Sequence, residues 1–169
     1  IGISTDGLFI SGNIFTGPSS AAEFNQTVVY QIDKSLGYSG QQLKYKVWYD
    51  IADMPTTLMP VSYAYNNTYE KGIYLLGTAY QNGIDYIKLY DVTGNIYDLH
   101  TKLNFYKVRT EKYRFFAKAI QVNRPIDNGD IRIQDAVLAG NNIYYVFTSG
   151  DERNFSRINF NVLSFPSLS

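Results

Sequence analysis

The most informative absences in the sequence concern metal ligands and nucleophiles. The chain has no cysteine, which excludes a disulfide framework and any thiolate metal site. It has a single histidine, His100, so a typical zinc site and a Cys–His catalytic pair are excluded as well. Glycine-rich phosphate loops and a Gly-x-Ser-x-Gly nucleophile motif are also missing. We therefore predict no cofactor, no metal site and no enzymatic activity.

Long apolar runs and net charge are lacking too. No run of about eighteen apolar residues occurs, so we expect no membrane insertion. The 15 basic residues balance the 15 acidic ones, which leaves no long-range field to attract a nucleic acid. Residues 102–109 and 112–118 mix basic and aromatic side chains, as grooves for single-stranded nucleic acid do. Because the net charge is zero, we interpret both as strands with a solvated face, and expect no nucleic acid partner.

Tyrosine is the residue in excess. The chain contains 16 tyrosines and 10 phenylalanines against one tryptophan, Trp48. Tyrosine suits half-exposed pleated surfaces, because its ring packs while its hydroxyl stays hydrated, and it is enriched at binding interfaces. The excess is therefore typical of a β-rich protein and also of a recognition surface.

The centre of the chain has the clearest β pattern. Stretches 72–80 and 84–92 are rich in β-branched and aromatic residues, and the Asn-Gly pair at 82–83 between them suits a tight hairpin turn. A further turn leads to a third expected strand at 96–99, which completes a three-stranded meander. A separate hairpin is predicted beyond it, from strands at 103–108 and 113–122.

Two other strands show strict alternation. In 43–49, the apolar side chains fall on one face, whereas two lysines and Trp48 fall on the other. Trp48 is then either covered by a neighbouring element or exposed as a platform beside the lysines. In 155–165, Ile158 and Phe160 alternate with polar residues, which predicts a half-buried strand.

The spacing of these elements indicates the fold class. Eleven or twelve short strands at intervals near ten residues, with almost no helical periodicity, are typical of antiparallel sandwiches and barrels. We predict one all-β domain over 1–169, cut or processed from a larger chain. It would be an antiparallel β-sandwich of the lectin-like or spike-head-like kind, with a β-propeller fragment or a barrel as alternatives.

A weak internal repeat underlies the propeller alternative. Residues 73–78 and 143–148 are similar, each is followed by a second apolar stretch, and 7–12 is a fainter third copy. The pattern of strand, polar loop and strand resembles the blades of β-propeller repeat proteins. The spacings of about 65 and 70 residues exceed the 40 to 50 of ordinary blades, and three units do not close a ring. The sequence therefore favours generic hairpins in one domain.

The functional prediction is non-catalytic recognition. The tyrosine excess, the polar loops and the Asn-x-Ser/Thr sequons favour an attachment domain on a virion or extracellular surface, of the viral or phage spike type. Its expected partner is a host-surface glycan or a protein receptor. For a glycan, aromatic rings that stack on sugars and polar side chains at the rim are needed. The residues predicted to bind are Trp48, Tyr80, Tyr86, Asp151 and Arg153.

Two alternatives stay open at this point. The first is a structural subunit of a capsid, filament or surface layer, in which a homo-oligomer covers apolar strand edges. The second is a glycoside-acting enzyme, which requires two carboxyl groups about 5 to 10 Å apart in a cleft.

Overall fold

The computed structural model describes residues 1–63, 72–79, 84–114, 119, 124, 130–151, 153 and 155–165. Within them, no helix is long and apolar enough to cross a membrane. The helix α1 spans Lys34–Tyr38, and a 3-10 turn spans Ser19–Ala21. The strands are β1 (Gly2–Ile3), β2 (Gly7–Thr16), β3 (Glu23–Asp33), β4 (Tyr45–Trp48), β5 (Met59–Pro60), β6 (Ser62–Tyr63), β7 (Gly72–Thr78), β8 (Ile84–Thr93), β9 (Lys102–Tyr113), β10 (Ile133–Ala139), β11 (Asn142–Gly150) and β12 (Ser156–Ser164).

The described strands form three four-stranded sheets. Sheet A has the order β1-β2-β3-β4, sheet B the order β5-β7-β8-β9 and sheet C the order β6-β10-β11-β12. Neighbouring strands are antiparallel, except that β6 runs parallel to β10. The predicted class of antiparallel all-β protein is confirmed. The barrel alternative is wrong, because among the described strands each sheet keeps two edges and none closes on itself.

Sheet B is the middle layer, because its two faces belong to two different cores. Leu75 and Leu76 are neighbours in β7 and both have no exposed surface, yet they point to opposite faces. The A/B core joins Phe9 and Val29 of sheet A to Ile73, Leu75, Tyr90 and Val92 of sheet B. The B/C core joins Leu76, Ile87 and Leu89 of sheet B to residues such as Ile143 and Phe147 of sheet C. Burial on both faces explains why β7 is a nearly continuous apolar run.

The central meander differs from its prediction in its third strand. Residues 96–99 form turns, in which the side-chain oxygen of Asn95 accepts hydrogen bonds from the amides of Tyr97 and Asp98, 2.9 and 3.1 Å long. The third strand is β9, and it continues through 109–112, where a hairpin turn was predicted. Pairing with the ten-residue strand β8 flanks that stretch, because Arg109 pairs with Tyr86 and Tyr113 with Ile84, with a shift in register between the two pairs. The turn at 82–83 lies outside the described residues.

The three similar segments of the sequence lie in three different sheets and share one register. They form β2, β7 and β11, each followed by its antiparallel partner β3, β8 or β12. When the first paired residues Gly7, Gly72 and Asn142 are aligned, the equivalent cross-strand pairs are Leu8–Ile32, Ile73–Val92 and Ile143–Leu163. The weak repeat therefore has a structural counterpart in each sheet.

In the alternating strands β4 and β12, the face with the large apolar side chains is the more exposed one, unlike in ordinary half-buried strands. In β4, Tyr45 is 61% exposed, whereas Trp48 packs against the A/B core. In β12, Ile158 and Phe160 are 75% and 70% exposed, whereas Asn159 is half-buried. The register explains this, because Trp48 lies opposite the buried Val29, and Asn159 opposite the buried Phe147. The apolar faces of both strands therefore point away from the two cores.

Candidate functional site

The structure does not gather the predicted site residues in one place. Trp48 lies in sheet A, where its indole N–H donates to Oε1 of Gln31 over 3.2 Å. The ammonium of Lys46 lies 4.0 Å from the centre of the Trp48 ring. The Trp48 ring thus packs on the A/B core, and Lys46 also lies against the ring. This is the covered alternative for Trp48, and it does not form an open platform for a sugar.

Tyr86 lies in sheet B beside a cluster of charges. The ammonium of Lys107 lies 4.9 Å from the centre of its ring. Lys107 and the buried Lys88 both pair with Asp53, at 3.4 and 3.1 Å. Burial would raise the pKa of Asp53, but Lys88 and then Lys107 outweigh it, so the pKa lies below its ordinary value. Tyr86 therefore belongs to a charge cluster that joins the 50–58 connection to sheet B. Tyr80 lies outside the described residues.

Asp151 and Arg153 lie together in the connection between β11 and β12. The carboxylate of Asp151 accepts hydrogen bonds from the backbone amides of Phe155 and Arg153, 2.8 and 2.9 Å long. The Phe155 amide, against the opposing effect of burial and together with Arg153, holds the pKa of Asp151 below its ordinary value. The guanidinium of Arg153 lies 3.3 Å from the same carboxylate and 5.3 Å from the Phe155 ring centre. Asp151 thus fixes the loop that presents Arg153.

This loop forms one wall of a groove of about 620 Å³, which we call the cationic groove. The other wall is the end of β9, held in place by a hydrogen bond from the amide of Gly150 to the carbonyl of Arg114, 3.0 Å long. Arg157 of β12 crosses between the walls, since its guanidinium donates to the carbonyl of Lys112 over 3.0 Å. The groove is lined by Glu111, Lys112, Arg114, Gly150, Asp151, Arg153 and Arg157.

The electrostatic balance of the groove favours an anion. Four of its lining side chains are cationic and two are carboxylates, and one carboxylate, Asp151, is engaged within its own loop. The side chains of Lys112 and Arg114 are exposed, and their backbone carbonyls accept hydrogen bonds from Arg157 and Gly150. Arginine guanidinium groups bind carboxylates, sulfates and phosphates through paired N–H donors. The groove can therefore bind a small acidic group from two sides.

A second cavity, of about 420 Å³, lies where α1 meets the turn after β8. Its polar groups serve the fold. Asp33 accepts hydrogen bonds from the hydroxyls of Ser35 and Tyr97, 2.5 and 2.6 Å long, and from the first amides of α1. The side-chain amide of Gln31 donates to the carbonyl of Gly94 over 2.7 Å. These bonds tie sheet A to sheet B, so this cavity is structural.

Sequence analysis located Asp151 and Arg153 but missed Lys112, Arg114 and Arg157. A signal was present, since the basic and aromatic run at 112–118 was noticed. What was missing was the long-range bridge between Arg114 and Gly150, which brings the end of β9 to the loop after β11. Within the described residues, no cluster of His, Cys, Asp and Glu side chains can hold a metal ion.

Fold and groove define a protein of antiparallel β-sheets with a polar, positively charged groove. Comparisons with protein-family models, with curated protein sequences and with solved structures each give no significant match.

Proposed function

We propose that the protein is a non-catalytic recognition module of a virion or extracellular surface, and that the cationic groove binds an acidic glycan of a host surface. The observation that carries the proposal is the excess of cations over carboxylates in a groove of about 620 Å³. That volume is within the range of about 300 to 1,000 Å³ typical of small-ligand sites. The surface location is the expectation from the sequence.

The position of the groove supports recognition. It lies at the ends of strands in sheets B and C, where loops can vary while the sheets hold them rigidly. The guanidinium of Arg153 donates to the carboxylate of Asp151, and that of Arg157 donates to the hydroxyl of Ser149, each over 3.4 Å. Cations held in this way lose little conformational entropy when they bind a carboxylate or sulfate group.

The state of Asp151 supports a non-catalytic role. A glycoside hydrolase needs one carboxyl group with a raised pKa to act as the acid. The pKa of Asp151 is lowered instead, first by the amide of Phe155 and also by Arg153. Asp151 therefore does not fit the acid of a glycoside hydrolase.

For the finer architecture, the common register of the three strand pairs supports a stack of three blade-like repeats more strongly than a two-sheet sandwich. In a sandwich, each sheet buries one face. In a stack, the middle sheet buries both, as sheet B does. The candidate groove would then lie where two consecutive repeats meet.

The test is a binding titration with acidic and neutral sugars. Sialyllactose and a sulfated disaccharide are the probes, and lactose is the neutral control. We expect the acidic probes to bind and the double variant Lys112→Gln/Arg114→Gln to weaken binding at least tenfold, because both exposed cations are lost while the backbone bonds remain. Affinity should also fall as salt rises, since the contacts are partly exposed.

The matched control is Lys102→Gln. It removes an exposed lysine from the other end of the same strand, β9, and should leave the affinity unchanged. Equal binding of lactose and the acidic probes, an unaffected double variant, or hydrolysis of a probe would each contradict the proposal. Binding of an acidic protein with no binding of either sugar would contradict the glycan as ligand.

A further inference from the structure

The two outer sheets each leave one apolar face uncovered. On sheet A, the face turned away from sheet B carries large apolar side chains on three adjacent strands, and we call it the A outer face. It consists of Leu8, Ile10, Tyr30, Ile32, Tyr45 and Val47. On sheet C, the face turned away from sheet B is similar, and we call it the C outer face. It consists of Val137, Tyr144, Val146, Ile158, Phe160 and Val162.

Five of these twelve side chains are exposed, and the other seven are half-buried. Phe160 is 70% exposed, Val162 is 48% exposed and Tyr30 is 39% exposed. Contiguous apolar patches of this kind mark interaction surfaces in soluble proteins. A partner on these patches would explain why the apolar faces of β4 and β12 point away from the two cores.

The shared register identifies what each face is equivalent to in sheet B. Leu8 and Ile32 correspond to Ile73 and Val92, and Tyr30 corresponds to Tyr90. All three sheet B residues have no exposed surface and lie in the A/B core. The A outer face is therefore the same kind of surface that sheet B offers to sheet A.

The C outer face corresponds to the other side of sheet B. Val146 and Phe160 oppose each other just as Leu76 and Leu89 do, and Thr148 with Ile158 matches Thr78 with Ile87. Leu76, Leu89 and Ile87 are buried in the B/C core. The C outer face is therefore the same kind of surface that sheet B offers to sheet C. The A outer face and the C outer face therefore correspond to the two sides of sheet B, which pack on sheet A and on sheet C within the chain.

We propose that the C outer face of one chain packs on the A outer face of a second copy of the same chain, head to tail, and that two copies close a ring of six sheets. The interface continues the sheet-on-sheet stacking that already joins A to B and B to C. It goes beyond the proposed glycan binding and does not depend on it.

The number of copies follows from ring geometry. Four-stranded sheets stacked around an axis close with about four to eight units. The described residues of one chain supply three sheets, too few to close, and those of three chains would supply nine, too many. Two chains supply six. A head-to-tail contact joins two different patches, and such contacts give a ring when the rotation closes and a filament when it does not.

The experiment measures mass in solution by sedimentation and light scattering. The unchanged chain should have twice the 19.2 kDa mass of one chain at micromolar concentration. Phe160→Lys on the C outer face and Tyr30→Glu on the A outer face should each be monomeric at the same concentration. An equimolar mixture of the two variants should regain the double mass, because one interface in the mixed ring is intact and the other joins Lys to Glu.

The control is Leu99→Lys, which places a lysine at a residue 98% exposed and outside both faces. It should keep the double mass, and near-ultraviolet circular dichroism should show native tertiary packing in all variants. A monomeric unchanged chain, open-ended polymers, or disruption by only one of the two face variants would each overturn the proposal. The last result would indicate a contact of one face with itself.

Discussion

At the scale of single residues, Asp33 is a carboxylate that accepts four hydrogen bonds. The hydroxyl of Ser35, followed by that of Tyr97, lowers the pKa of Asp33 to about 2. The carboxylate of Asp33 also caps α1, because it accepts hydrogen bonds from the amides of Ser35 and Leu36. These bonds fasten the end of sheet A to the turn that follows β8, so the ionised form of Asp33 stabilises the junction of two sheets.

This arrangement predicts how stability depends on pH. Because the folded pKa of Asp33 lies below its unfolded value of 3.8, the contribution is fully present above that value and is lost as the pH falls to about 2. Thermal melts between pH 2 and 7 should show that Asp33→Asn lowers the melting temperature at pH 7 by a few degrees. Below pH 3 the difference from the parent protein should shrink. The control is Asp50→Asn, at an exposed position. A difference in melting temperature between Asp33→Asn and the parent protein that stays constant at all pH values would contradict the role of the Asp33 charge.

The predicted binding residues show what sequence alone can reach at this scale. Arg153 and Asp151 are predicted because they lie in a polar loop between two clear strands, and both line the cationic groove. Trp48 and Tyr86 are predicted as rings that could stack on a sugar, and a lysine lies against each of them. Which face of a strand is covered depends on its register with the next strand, and no local pattern encodes that register.

At the scale of strands and sheets, β7 is the element on which both cores depend. Leu75 and Leu76 are adjacent in sequence but lie in the A/B core and the B/C core respectively. We expect Leu75→Ala and Leu76→Ala each to reduce the free energy of unfolding by about 2 to 5 kcal/mol, since each leaves a cavity in a packed core. Denaturant titration measures this.

The exposed Leu99→Ala is the control for these substitutions and should change stability by less than about 0.5 kcal/mol. Equal and small effects at all three leucines would show that sheet B is not sandwiched between two cores. An effect at only one of the two β7 positions would mean that sheet B packs on one side alone.

The sequence predicts most of the strands correctly, but it misplaces the boundaries that depend on partners. β7, β8 and β11 were recognisable from their β-branched and aromatic residues, because buried strands are apolar throughout. The sequence predicts a turn at the charged residues 109–112, whereas β9 continues through them with a shift in its register to β8. For β4 and β12 the sequence predicts alternation, but alternation alone does not say which face lies against a core.

At the scale of the whole molecule, the three sheets form a series in which every inner face is covered and the two end faces are not. The weak sequence repeat was set aside because its spacings are long. Those spacings also contain elements outside the similar strand pairs, such as α1, β4, β9 and β10, so they do not measure the size of the repeated unit. Cross-strand register is the better guide, because it compares only paired residues.

The cationic groove also belongs to this scale. Its walls come from β9, from the loop after β11 and from β12, and net charge gave no indication of it, since the chain as a whole is neutral. A neutral chain can carry a local excess of one sign where distant segments meet. The groove is therefore a tertiary feature, since its two walls are 36 or more positions apart in the sequence and meet at the Arg114–Gly150 bridge.

The most direct test of the proposed function is to map bound sialyllactose on the protein by backbone amide chemical shifts in solution. We predict shifts confined to the groove, at 111–114 and 150–157, that saturate with added ligand and vanish in Lys112→Gln/Arg114→Gln. Shifts centred on Trp48 or on Tyr86, or no shifts at millimolar sialyllactose, would contradict the assignment of the groove as the binding site.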